Sequence, residues 1–493
     1  MNILIYTTNS TYTGRNVGGA ETSLRLIAEG MAKKGHSVVY LTLDKTLPFG
    51  YRTKKINGVT VIFHSSFRSL KSLKESRGIH IDEIENDWLR TLFSEIIIIH
   101  DIHLVHTFYE LDALKLFIDI RTRLKSFVIV MRMAGLYWYE HIRRDRAALH
   151  DYSMVFGAID SVNFISAGLQ DLMAMKEREL GCCFRFRHSF VGDIGVIPAT
   201  GRRWGGWAEE KTMRMITATR FSPYSKRQDL IVEAARLLRG KIPFHLKLIG
   251  SGATTEMFRR KIASYGLDDS IEMVPYLKQD ELWSEMQHAH LLCHPCDYEG
   301  LSKIVMESMS MGLPVLCSNV LAPSSYIEDG VNGYLVENAP ERWADKLVEL
   351  YHKRNEFAAV SENARTFVHQ HFNADMNIAL YERTFSDLVN GAGLPRTAGQ
   401  TETDERTGPE DAESFCRVFG ITQGDLAINP GFVQNMRFLK FMNKIAWKMI
   451  EHRERDLRDL KASYAYRIGN GIVEPVRRLV RFLKQLRSTS DMF

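Results

Sequence analysis

Twice along this chain an apolar, β-branched segment runs into a turn and then into a stretch of helical periodicity, and that alternation admits few folds. At the start, ILIYTT is followed by RNVGGAET, by the periodic LRLIAEGMAKKG and by SVVYLTL. Strand, loop, helix, strand is a βαβ unit, and repeated units build a parallel sheet covered by helices. Gly35 stands where the first helix must stop. Further apolar strands are predicted at 59–64, 103–108, 127–131, 162–166 and 194–199. After GRRWGGWAEEK the alternation restarts with RMITATR (214–220) and the helix QDLIVEAARLLRG (228–240). Strands follow at 244–250, 271–277, 290–295, 314–318 and 334–336, and helices dominate to about 389. Two α/β halves joined near 201–211 predict two doubly wound, Rossmann-like domains facing across a cleft, with ligands at the carboxyl ends of the strands.

The remaining composition excludes several classes. The opening MNILIYTTNS lacks a basic n-region and a long apolar run, and reads as a strand rather than a signal peptide. No stretch reaches the roughly 18 apolar residues of a membrane span, and the run IIII at 96–99 reads as a buried segment. Six scattered cysteines (182, 183, 293, 296, 317 and 416) form no disulfide framework, which implies the cytosol. Cys293-His-Pro-Cys296 has CxxC spacing but ends a strand, so it reads as two small residues there rather than a redox or metal motif.

Residues 390–412 are rich in Gly, Pro, Thr and acids and read as a flexible linker. Between Arg437 and Arg487 there are fourteen Lys/Arg and five Asp/Glu, a net of +9; the whole chain is +5, so the rest is −4. In this 413–493 tail, Phe, Leu, Ile, Met and Trp alternate at helical spacing with the basic residues. That pattern describes amphipathic helices lying on an anionic membrane through 436–487, with an oligomerisation arm or a helix docked on the body as the other readings. No recognition motif supports nucleic acid.

The densest chemical signal is DYEGLSKIVMESMSMGLPVLCS, where seven residues separate Glu299 from Glu307. Leu301–Met311 has helical character, Ser302 lies near its start, and Gly312 with Pro314 closes it. The N-terminus of such a helix suits a diphosphate. Glu307 then accepts hydrogen bonds from a diol such as a ribose, and Glu299, in the loop, holds a hydroxyl of the donor sugar. Spacing alone leaves two solvated glutamates as an even alternative.

This segment resembles the retaining glycosyltransferases of family 4, whose fold is called GT-B. It carries the acid and glycine at Glu299-Gly300, the second acid at Glu307, and Gly312-Leu313-Pro314-Val315; EDGVNGYLV (328–336) matches the next family segment. ATRFSPYSKRQDLI supplies Arg220 and Lys226 in the places of the family's Arg and Lys, one residue further apart than usual. The resemblance covers roughly residues 1–390 and is strongest from 210 to 340. It implies that Arg220, Lys226 and Glu299 are catalytic. Gly18, Gly19, Gly250, Tyr276, Leu277, Gly300, Leu301, Ser302 and Glu307 are then the donor-binding residues, with packing an equal explanation for Gly250.

It further implies a metal-independent hexosyltransferase needing no cofactor, fed by a UDP-, GDP- or ADP-sugar. Residues 1–205 form the acceptor-side domain, with helix 370–389 packing back on it, and 206–369 the donor domain. The acceptor is a saccharide or lipid-linked saccharide of bacterial surface polysaccharide synthesis, handled at the inner face of the plasma membrane. The stretch SYAYRIGNGIVEPVRR looks like tails of bacterial polysaccharide transferases. Many relatives place a histidine after the strand equivalent to FVIVM. Here Arg132-Met133-Ala134-Gly135 follows instead, and no histidine comes before His141. The acceptor-side candidates are accordingly Arg132, Tyr137, Trp138 and His141, with Arg143 and Arg144 beside them for a lipid phosphate; a core role for the aromatic cluster is the equal alternative. His106 reads as core. A GT-B sugar-nucleotide epimerase and a non-catalytic scaffold tethered by its tail are the rival functions.

Overall fold

The computed structural model describes residues 1–14, 19–47, 50–66, 81–192, 202–207, 210–222 and 225–392. Gly18, the strand expected at 194–199, Cys416, the linker beyond 392 and the basic tail lie outside the described residues.

The first half is an eight-stranded sheet: β1 (Asn2–Thr7), β2 (Ser37–Leu43), β3 (Tyr51–Ile56), β4 (Val59–His64), β5 (Leu104–Phe108), β6 (Val128–Met133), β7 (Ser161–Phe164) and β8 (Ser189–Val191). Their order is β3-β4-β2-β1-β5-β6-β7-β8, parallel except where β3 meets β4. The second half holds β9 (Met213–Ala218), β10 (Phe244–Ile249), β11 (Ile271–Val274), β12 (Leu291–His294), β13 (Val315–Ser318) and β14 (Tyr334–Val336), in the order β11-β10-β9-β12-β13-β14 and all parallel. Strand order reverses beside β1 in one sheet and beside β9 in the other, and ligand crevices open at such points.

Sequence periodicity does not reveal β3. YRTKKI carries three basic residues and lies mostly exposed on the sheet edge, where charge discourages pairing with another chain. Its hairpin partner β4 follows Asn57-Gly58, both at positive φ (49° and 83°), the geometry a two-residue hairpin turn requires.

The two halves touch in several places. A helix near the end of the described chain, Ala374–Gly391, returns to the first half and packs on the helix Gly19–Lys33. Ile378, Tyr381 and Phe385 there share a core with Ile27 and Met31. Gly30 makes the close approach possible, since a Cβ on it would fall 2.5 Å from Ile378 Cγ1. Across the cleft, Ser166 Oγ donates to the Gly300 carbonyl at 2.6 Å. The helix Ala167–Leu180 also abuts the short helix Leu321–Ser324. Among the described residues no helix is long and apolar enough to cross a membrane.

Candidate active site

Backbone pairing explains how residues 73 positions apart meet. Lys226 forms an antiparallel bridge with Cys296, Arg227 N donates to the Pro295 carbonyl at 3.2 Å, and Asp297 N donates to the Ser225 carbonyl at 3.0 Å. The loop after β9 is thereby stitched to the loop after β12. Lys226 Nζ then reaches Glu299 Oε2 in an ion pair. His294, the last residue of β12 and buried, lies with Nε2 3.2 Å from the same oxygen.

The charges in this cluster are mutually determined. Burial would push the Glu299 carboxyl up, but the Lys226 charge and the His294 hydrogen bond outweigh it and hold it below 4.5. Burial pulls the Lys226 ammonium down, and Glu299 more than restores it, so it stays cationic. Burial lowers the His294 imidazole, which is therefore neutral at pH 7 and donates from Nε2 to the carboxylate. The adjacent Cys293 and Cys296 are buried thiols pushed up, Cys296 to about 12, so neither is a nucleophile.

Glu307 occupies the second turn of the helix Lys303–Met311 and is nearly fully buried. Its Oε2 accepts from Gln279 Nε2 at 3.0 Å, and its Oε1 pairs with Lys303 Nζ at 3.1 Å. Ser302 takes the cap position of this helix, but its side chain caps no N–H. The N–H groups of the first turn, at Lys303 and Ile304 on the cavity wall, are left to another partner. Gly312 at φ 84° ends the helix.

One cavity of about 710 Å³ collects Gly19, Arg220, Lys226, Tyr276, Leu277, Glu299, Leu301, Ser302 and Glu307. The Gly19 backbone approaches the start of the Lys303 helix so closely that a Cβ there would lie 3.1 Å from Lys303 Cβ. Gly300 lines an adjoining space of about 590 Å³, with Tyr109, Tyr137, His141, Arg144 and again Arg220, Lys226 and Glu299. Arg143 lies half-exposed beside Glu140.

Three expected site residues stand elsewhere. Gly250 does not line the cavity; at φ 139° a Cβ on it would fall 2.1 Å from the Thr219 carbonyl oxygen, so it is glycine because the chain leaving β9 runs hard against it. Trp138 is wholly buried, edge-on to Phe184 at 5.3 Å, because the helix Tyr137–Arg144 turns that face into the core. Arg132 is also wholly buried. Its Nη1 donates to Asn163 Oδ1 and to Tyr381 Oη, each at 2.5 Å, tying β6 to β7 and to the Ala374–Gly391 helix. His106 sits beneath it in the same core, as expected, and burial holds its pKa well below 6.5.

Sequence reading missed His294, Gln279 and Lys303. Lys303 carried a signal, four residues before Glu307 on one helix face, and so did His294, five before Glu299. Gln279 carried none.

Residues 205–367 match the family model described as glycosyl transferases group 1. The chain is 28% identical over 177 residues to the D-inositol 3-phosphate glycosyltransferase of Paenarthrobacter aurescens, covering 35% of this chain and 43% of that relative. It is 28% identical over 214 residues to the putative colanic acid biosynthesis glycosyltransferase WcaL of Salmonella typhimurium, covering 42% and 52%. It thus spans about half the length of the curated relatives it matches. Among solved structures, sucrose-phosphate synthase from Thermosynechococcus elongatus aligns with a TM-score of 0.63 at 16% identity, over 79% of this chain and 99% of that one. Anabaena HepE in complex with UDP and glucose aligns with a TM-score of 0.60 at 16% identity, over 78% and 100%. The chain has the GT-B fold of these solved structures, and its residues 205–367 match the model of glycosyl transferases group 1.

Proposed function

We propose that this chain is a retaining, metal-independent glycosyltransferase that moves a sugar from a nucleotide-diphospho-sugar to a saccharide or lipid-linked acceptor. The observation that carries the reading is the clustering of Arg220, the Lys226–Glu299–His294 group and Glu307 around an uncapped helix N-terminus in one cavity. Glu307 takes the ribose hydroxyls, with Tyr276 and Leu277 at the base. The first-turn N–H groups and the two cations take the diphosphate. Glu299 holds a hydroxyl of the sugar. As the bond from anomeric carbon to phosphate oxygen breaks, Arg220 and Lys226 stabilise the charge gathering on the diphosphate. The acceptor oxygen bonds to the same face of the carbon, and its proton passes to the departing phosphate oxygen. Glu299 acts neither as acid nor as base.

In this reading residues 1–205 carry the acceptor and 206–369 the donor. The basic tail holds the enzyme on the cytoplasmic membrane face, and the named roles of WcaL in colanic acid and AmsK of Erwinia amylovora in amylovoran synthesis support a polysaccharide product. The test is nucleotide diphosphate release from UDP-, GDP- and ADP-sugars by the full chain, with NMR of the product's anomeric configuration. Unchanged turnover in both Lys226→Ala and Glu299→Ala, or an inverted product, overturns the reading.

A further inference from the structure

The first half contains a cavity of about 1020 Å³ at the carboxyl ends of β1, β4 and β5. It opens onto the cleft: Glu21 lines both it and the donor cavity, and Tyr109, Tyr137 and His141 line both it and the adjoining space beside Glu299. We propose that it receives the acceptor and is built for a neutral, hydroxyl-rich glycan end rather than one bearing a carboxylate or phosphate. This rests on the transfer reading above.

Two independent observations point to that chemistry. The wall carries Glu21, Glu85, Glu110 and Asp112, while Lys45 is the only Lys or Arg on it among the described residues. Glu110 is held by Thr8, whose N and Oγ1 donate to its Oε1 at 3.2 and 3.0 Å. Burial first, then the charges of Glu21 and Asp112, push its carboxyl up despite those bonds, so the three groups share one electrostatic space. The second observation is His64, on the same wall and 1% exposed. Its Nδ1 donates to the Ser65 carbonyl at 2.8 Å, which leaves Nε2 a bare acceptor, and Nε2 is buried without a partner. Burial lowers its pKa to about 4, so it stays neutral.

The cavity wall is therefore rich in acceptors and poor in cations among the described residues. Sugar hydroxyls supply the donors. An anionic group brings no proton and meets a wall of four carboxyl groups. Tyr137, 61% exposed and lying along Tyr109 with ring centroids 6.1 Å apart, adds an aromatic face for the sugar ring.

The test titrates the full-length protein, with UDP, GDP or ADP present, against matched methyl glycosides and uronides: glucoside with glucuronide, galactoside with galacturonide. Saturation-transfer NMR reads affinity. The neutral member of at least one pair should bind, with its uronide about tenfold weaker, the scale of like charges roughly 10 Å apart in partly screened surroundings. Asp112→Asn, at an exposed position, should narrow that gap, and adding Glu21→Gln should narrow it further. Uronides that bind as well as the neutral sugars, a gap that survives both substitutions, or no binding by any neutral glycoside overturns the proposal. Nucleotide binding to wild type and Lys226→Ala, measured alongside, reports on the donor cavity separately.

Discussion

Gly168→Ala perturbs the contact between the halves without touching the donor cavity. Gly168 lies in the first turn of the helix Ala167–Leu180, under the short helix Leu321–Ser324 of the second half. A Cβ there would fall 2.7 Å from Ala322 Cα, 2.8 Å from the Leu321 carbonyl oxygen and 3.1 Å from Ser325 Oγ. The first two are backbone and cannot rotate away. Ordinary contact runs from 3.4 to 4 Å, so the helices must part by about 1 Å. Two residues upstream, Ser166 holds the Gly300 carbonyl beside Glu299, so the displacement reaches the reacting groups directly. A misplacement of that size lowers the rate of a positioned reaction about 100-fold, and the overpacking itself costs about 1–3 kcal/mol. Steady-state release of nucleotide diphosphate in the presence of acceptor should therefore fall about 100-fold in kcat. Calorimetric binding of the nucleotide, which uses groups of the second half, should change little. Gly157→Ala, with nothing within 4 Å of its Cβ, is the control and should behave as wild type. Wild-type kcat in Gly168→Ala would refute the view that this contact sets the geometry of the cleft, as would loss of nucleotide affinity in step with kcat.

The Glu299 carboxyl is held below 4.5, so its stabilising contribution is present above that pH and lost as acid reaches the lowered value; the raised Lys226 contributes below 10.5 and loses its share above. Glu299→Gln should flatten the acid limb of a Tm-against-pH curve below pH 4.5, and an unaltered limb would overturn that assignment. Trp138→Ala should lose about 3–5 kcal/mol in denaturant unfolding. Its neighbour Tyr137→Ala should stay within about 0.5 kcal/mol while raising acceptor KM roughly two- to tenfold; the reverse pattern would mean the helix faces are misassigned. The full chain should co-sediment with anionic vesicles, more weakly at high salt, and a chain ending at residue 392 should not; equal sedimentation removes the membrane role of the tail.

Much of this was legible because periodicity and glycine placement are local. The strands SVVYLTL, VTVIFH and YLV stand where their residues predict. Ligand geometry is not local. Nothing in the spacing of Lys226 and Glu299 announces an ion pair, which depends on two loops pairing through Cys296 and Ser225. Tyr137 and Trp138 are adjacent aromatics with opposite fates, decided by how a two-turn helix is rotated against Phe184. Gly250 could serve the donor cleft or packing, because close backbone approach and ligand approach both require a missing Cβ, and its 2.1 Å approach to Thr219 shows the packing demand.

Arg132 has a consequence for biosynthesis. Its guanidinium is sealed inside the first half without exposure, and one of its acceptors is Tyr381 Oη, 249 residues later in the chain. At translation rates of roughly 5–20 residues per second that acceptor arrives some 10–50 seconds after the arginine. Until then the face of the Gly19–Lys33 helix at Gly30 lacks Ile378, which packs against it. The first half of this protein is therefore completed from its far end, and a nascent chain released before residue 378 carries an incompletely packed helix face and an interior cation lacking its hydroxyl.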